Sequence, residues 1–397
     1  MGDSFMKKRE LKKIFAGFLL ASSVLTACSS TSSTEKTEEK KQEEVKEEKE
    51  EVGTEEVSYG QVFQEAVAEL EKAKEGKEVD FDKVIELYET NLQELVKERD
   101  AELEDTIDQH ITTALKAGKD GSMNKVVVKQ LFDKLMQKVF YTTIKHEFTE
   151  VTENWADKKV VKEEMEEAKE FYAIIQTTVE KRDAAYGTTM VDVITGGFEE
   201  MEKAVEADDQ LGFNLGKQVV DKTLMKTFYF ATGAIPNGYA TKAAAAAKDN
   251  TEEAKIEQAE GWAFYQAIFT YLDKHAQKDA AFILSQFDLQ TDVTKLDPKA
   301  VNKAFVRGFS QIALDEYAES VETWGEDKSV ITGLEGALFI DIIGEDIKAI
   351  IGEAEFTALT EKTQKYLEAA KAKDKVTADT TLAEIQGTLN TVINSAK

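Results

Sequence analysis

The sequence predicts an all-α protein: about three repeated helical units stacked behind a disordered N-terminal tether. Three observations carry that expectation. Only two prolines occur in 397 residues, in a composition rich in Ala, Glu, Lys and Leu, so long helices run with few interruptions. Apolar residues recur at the 3.6-residue spacing of a helix face in segment after segment. No stretch alternates apolar and polar residues with the period of two that a half-buried strand needs.

The stripes begin at about Tyr59. Val62, Phe63, Ala66, Leu70 and Ala73 form the first, and Val84, Ile85, Leu87, Tyr88, Leu92 and Leu95 the second. Val128, Leu131, Phe132, Leu135, Val139 and Phe140 form the third. Breaks are expected at the glycines of 118–121, at Gly187, Gly196-Gly197, 233–238, Gly325 and Gly333. Asp297-Pro298 has the signature of an N-cap followed by proline at the first helical position, where a missing N–H costs nothing.

Internal repetition organises these helices. Glu167-Ala168-Lys169-Glu170-Phe171-Tyr172-Ala173-Ile174-Ile175 is matched by Glu260-Gly261-Trp262-Ala263-Phe264-Tyr265-Gln266-Ala267-Ile268, 93 residues on. A third copy, Glu335-Gly336-Ala337-Leu338-Phe339-Ile340-Asp341-Ile342-Ile343, follows after a further 75. Flanks agree: Trp155 with Asp157-Lys158 precedes the first copy, and Trp324 with Asp327-Lys328 the third. An apolar helix lies before each, at 126–144, 216–235 and 300–318. The units span roughly 120–187, 210–283 and 298–352, with capping helices at 59–115 and 355–397.

Ahead of the helices stand two other segments. Basic residues (Lys7, Lys8, Arg9, Lys12, Lys13), then the apolar run Ile14–Ala21, then Leu25-Thr26-Ala27-Cys28 resemble a bacterial lipoprotein signal peptide. The apolar run is shorter than the roughly 20 residues of a membrane span. The resemblance implies removal of 1–27, acyl chains on Cys28, and an extracytoplasmic protein anchored to the cell membrane by its N-terminal lipid. Residues 28–58 are Ser/Thr and then Glu/Lys with almost nothing apolar, so they are expected to be a disordered spacer reaching about 30 Å as a flexible coil.

Charge and composition exclude several functions. The formal charge is −27, of which −24 falls from Val57 onward, so no nucleic-acid partner is expected and cations are the natural counter-species. With Cys28, the only cysteine, lipidated, no thiol remains for a disulfide, a zinc site or a nucleophile. No hydrolase signature such as Gly-x-Ser-x-Gly or His-Glu-x-x-His is present, and Gly118-Lys119-Asp120-Gly121 is too short for a P-loop. No enzymatic activity is expected.

What remains is carboxylate chemistry. Glu164 and Glu167 fall on the stripe of Phe171, and Glu257 and Glu260 on that of Phe264. Glu335 keeps the inner position in the third copy, where Thr332 replaces the outer one. A glutamate recurring on an inward stripe calls for a cation, a basic side chain or a backbone donor. Two readings compete. In one, these pairs with Tyr172 and Tyr265 supply oxygen ligands to iron or calcium, with His146, Glu150 and Glu335 as additional ligands. In the other, they cap helices or pair with lysine, in an envelope scaffold or protein-interaction module.

The Glu-Gly-x-Ala-Phe-Tyr-x-x-Ile stretch at 260–268, with its partner at 167–175, resembles a motif of algal iron-assimilation proteins, which are grouped with the phytotransferrins. The resemblance implies ferric iron uptake, carried by Glu167 with Tyr172 and Glu260 with Tyr265, and delivery to a membrane transporter. The third copy departs from it, with Ile340 in place of tyrosine. Imelysin-type iron-uptake lipoproteins carry His-x-x-Glu, which His146-Glu147-Phe148-Thr149 does not match.

Overall fold

The structure, a computed structural model, describes residues 58–397; the segment expected to be a signal peptide, Cys28 and the expected tether up to residue 57 lie outside the described residues. The described residues are predominantly helical, with no strand. No helix among them is long and apolar enough to cross a membrane.

The N-terminal cap comprises α1 (Tyr59–Glu71), α2 (Phe81–Leu87), α3 (Gln93–Leu103) and α4 (Ile107–Asp120). Ser58 opens α1 with a reciprocal cap: its hydroxyl accepts from the Gln61 N–H, and the Gln61 side chain accepts from the Ser58 N–H. A single π-helical turn, Tyr88–Leu92, joins α2 to α3.

The first unit is a pair of long helices, α5 (Lys125–Glu153) and α6 (Lys158–Tyr186), capped by Asn124 and Asp157. α7 (Met190–Ala207) leads into the second unit, which holds α8 (Gln210–Thr232), α9 (Tyr239–Ala246) and α10 (Thr251–Phe287). The third holds α11 (Pro298–Glu322), α12 (Asp327–Ile342) and α13 (Gly344–Ile351). Asp297 caps α11 through the N–H groups of Lys299 and Ala300, with Pro298 at its start as the sequence predicts. α14 (Glu353–Ala372) and α15 (Lys375–Ser395) close the chain.

Two expected breaks are not breaks. Gly196-Gly197 lies inside α7 and Gly333 inside α12. A Cβ on Gly197 would stand 2.7 Å from Val220, and one on Gly216 would stand 3.2 Å from the Gly197 carbonyl oxygen, so these glycines let α7 and α8 pack closely. α10 shows the opposite: it turns back at Ala276 (φ −142°, ψ 53°), which brings Phe287 against Gly261.

α10 is the centre of the molecule, packed on α5, α8, α9 and α11. Aromatic contacts tie the units together. Tyr141 meets Phe228 at 5.2 Å, Tyr265 meets Phe305 at 5.6 Å and Tyr271 meets Phe339 at 5.4 Å between ring centroids. α1 and α4 cover α5 at one end, and α14 and α15 cover α12 and α11 at the other. Phe140 of α5, Phe171 of α6 and Tyr59 of α1 stack in sequence, at 6.0 and 5.8 Å, and fix the α5–α6 pair beneath the N-terminal cap.

Candidate cation site

The three copies of the repeated helix, α6, α10 and the α12 region, present their glutamates to different surroundings. In the first copy, Glu164 and Glu167 of α6 meet Glu147 of α5, one ligand oxygen from each lying within 4.8 Å of the others. Helical spacing explains the convergence. Glu164 and Glu167 are one turn apart, and Glu147 follows Phe140 and Ile144 along the buried stripe of α5. Glu147 is buried (5% exposed), Glu164 half-buried and Glu167 exposed, so the cluster is graded from floor to mouth. They line a cleft of about 330 Å³ with Arg99, His146, Glu150 and Phe171, among others.

Electrostatics make this cluster costly for the chain alone. Burial, a hydrogen bond with Glu164 and the charges of Glu164 and Glu167 push Glu147 up to about 9, while Arg99 acts weakly the other way. Burial and the charge of Glu164 also raise Glu167. His146 contributes at the rim, its Nδ1 3.1 Å from Glu102 and its Nε2 4.0 Å from Glu150. The second Glu150 oxygen accepts from Asn154 at 3.1 Å.

The second copy is served in part from within the chain. Buried Glu260 accepts from the Tyr239 hydroxyl, and Arg182 and Lys242 act on the same group of side chains. Arg182 lies 5.8 Å and Lys242 4.7 Å from the Tyr239 ring centre. Glu257 is pushed up to about 7 by burial and Glu260; Lys242 and Arg182 offset this only in part, and one buried carboxylate oxygen of Glu257 has no hydrogen-bond partner. In the third copy, Glu335 stands 3.1 Å from the ammonium of buried Lys222, which also pairs with Asp221 at 2.7 Å. Glu316 beside it accepts from Tyr271 at 2.7 Å.

The expected tyrosines do not join the carboxylates. Tyr172 is buried on the other side of α6, its ring 5.8 Å from Phe198 and its hydroxyl without a hydrogen-bond partner. Tyr265 donates to the Ala280 carbonyl at 2.9 Å across the turn in α10. A phenol one residue beyond the phenylalanine is rotated by about 100° from the glutamate stripe, which is why neighbours in sequence part in space. The two predicted Glu/Tyr sets are therefore not brought together. Of the predicted ligands, Glu164, Glu167, His146 and Glu150 share one cleft.

Glu147 and Arg99 belong to that cleft and were not among the predicted ligands. Both were detectable as charged residues in register with buried stripes, Glu147 after Phe140 and Ile144, Arg99 after Leu92 and Leu95. A second repeat was also legible: Asp133-Lys134-x-x-x-Lys138-x-Phe140-Tyr141 recurs as Asp221-Lys222-x-x-x-Lys226-x-Phe228-Tyr229. Each tyrosine donates to an aspartate of a later element, Tyr141 to Asp221 and Tyr229 to Asp346, both at 2.6 Å. The acids of 341–346 are likewise partnered, with Lys226 2.8 Å from Asp341. The chain matches no protein-family model, no curated protein and no solved structure.

Proposed function

We propose that this is a lipid-anchored extracytoplasmic protein that captures a hard cation, iron or calcium, in the cleft of Glu147, Glu164 and Glu167. Residues 1–28 and the Glu/Lys tether supply the anchor and spacer, and a membrane transporter receives the ion. The carrying observation is the contrast among the repeats. In the third copy Lys222 pairs with Glu335, and in the second the charges of Arg182 and Lys242 act on Glu257, whereas the first sets three carboxylates together around a buried member. Oxygen-only ligands on facing helices suit a hard ion, and exposed Glu167 at the mouth provides a route of entry.

A scaffold reading draws support from the second and third copies, where the same glutamates serve packing. Calorimetric titration of the purified full chain with calcium and with ferrous iron separates the two. Capture requires one site per chain that Glu147→Gln removes. A scaffold gives no saturable heat with either ion.

A further inference from the structure

α10 sets local helix preference against tertiary shape. Its 37 residues, Thr251–Phe287, are helical on both sides of one non-helical residue, Ala276. No glycine or proline stands between Trp262 and Asp297, and Ala276, Gln277 and Lys278 are strong helix formers. By local preference alone the segment would run straight. Tertiary contacts hold the turn instead. Gln258 donates to the carbonyls of Gln286 (3.3 Å), Asp288 (3.1 Å) and Thr291 (3.3 Å), and Tyr265 donates to that of Ala280. Just ahead of the turn, Tyr271 donates to Glu316 at 2.7 Å, and His275 Nδ1 stands 3.1 Å from Asp315, both acids on α11.

Each of these contacts joins a residue before Ala276 to one after it, so a second copy of the chain can supply either side. Straightening within one chain would carry Gln286 from hydrogen-bond range of Gln258 to about 42 Å away, at about 1.5 Å per residue. It would also strip the cover from Ala280, Ile283 and Phe287, all fully buried. Straightening in two chains at once restores every such contact between them. The two arms of each hairpin then become antiparallel neighbours from different copies. We propose that two copies of this chain exchange residues 277–397, with α10 a continuous helix in each. A hinge of one residue favours this, because helix preference works against the closed hairpin while the buried surface stays the same in both forms.

The test is the mass of the full chain by light scattering, after brief exposure to moderate urea and return to buffer at rising protein concentration. A dimer is expected that keeps the helical circular dichroism of the monomer. Lys226 and Asp341, 2.8 Å apart, lie on opposite sides of the hinge. Carbodiimide coupling joins that amine and carboxyl as an amide, the carbodiimide taking up the water. The link falls between two chains in an exchanged dimer and within one chain in a monomer. Ala276→Gly is expected to lower the dimerisation constant about twentyfold, since each of two straight helices loses about four- to fivefold there. Insertion of Gly-Gly-Ser after Ala276 breaks helix continuity and is expected to abolish the dimer. A chain that stays monomeric throughout overturns the exchange. So does a dimer whose Lys226–Asp341 link stays within one chain, or one indifferent to the insertion.

Discussion

Glu335 and Lys222 form a buried ion pair, 3.1 Å between oxygen and nitrogen, at the position in the third repeat that Glu167 occupies in the first. The same ammonium holds Asp221, whose carboxyl is drawn well below the usual range; burial opposes this shift but is outweighed by Lys145, Lys222 and the Tyr141 hydroxyl. A lysine enclosed this way neutralises two acids from different elements. Lys222→Met leaves Glu335 without its ion pair and Asp221 with only Lys145 and the Tyr141 hydroxyl, so it is expected to cost about 3–5 kcal/mol of unfolding free energy. Urea denaturation checks this. Combining it with Glu335→Gln recovers part of the loss, as a double-mutant cycle will show.

The acid cluster makes stability depend on pH in a defined direction. Glu147 ionises near the ordinary glutamate value of 4.5 when unfolded and near 9 when folded. Below 4.5 both states hold the proton; between 4.5 and about 9 only the folded state does. By linkage the unfolding free energy then falls as pH rises through that window. Glu257 and Glu316, both raised to about 7 chiefly by burial, act in the same sense. Denaturation at pH 5 and pH 9 without added metal should show the decline, with a shallower slope in Glu147→Gln.

Acid brings the opposite loss. Burial pushes Asp133 upward, but Lys134 and Lys129 outweigh it and leave the carboxyl depressed, as its own lysines do for Asp221. Their stabilisation is present above the ordinary aspartate value of 3.8 and disappears as pH falls through the lowered values. Asp133→Asn should flatten the acid limb of the stability profile. An unchanged limb would show that these pairs do not govern acid unfolding.

The repeated Glu-Gly step predicts contrasting alanine scans. A Cβ at Gly261 would stand 2.2 Å from the Phe287 ring, and one at Gly336 2.8 Å from the Tyr317 ring. Gly261→Ala is therefore expected to destabilise by about 1–3 kcal/mol through overpacking. Gly196 of α7 has open space where a Cβ would go, with nothing within 4 Å, so alanine there should add up to about 1 kcal/mol. Thermal melts of the two variants should move in opposite directions.

The helical class, the cap at Asp297 and the similarity of the 167, 260 and 335 regions were legible in the chain, because periodicity and capping are local. Gly197 and Gly333 misled because a glycine needed for close helix contact looks the same in sequence as one that ends a helix. The turn at Ala276 had no glycine or proline to announce it. The site was half legible. Glu164 and Glu167 lie one helical turn apart and could be paired by spacing alone. Which base or acid faces them depends on tertiary packing: Glu147 and Arg99 come from other helices, as do Lys222 beside Glu335 and Arg182 and Lys242 near Glu257.

If the first repeat takes a cation from outside where the other two use the chain's own bases, thermal unfolding will register it. With divalent cation at a hundred times its dissociation constant, a ligand of the native state alone adds about 2.7 kcal/mol to the full chain. The wild type and Glu257→Gln/Glu260→Gln should both gain several degrees, and Glu164→Gln/Glu167→Gln none. An equal gain in the two double variants, or no gain in the wild type, would contradict it.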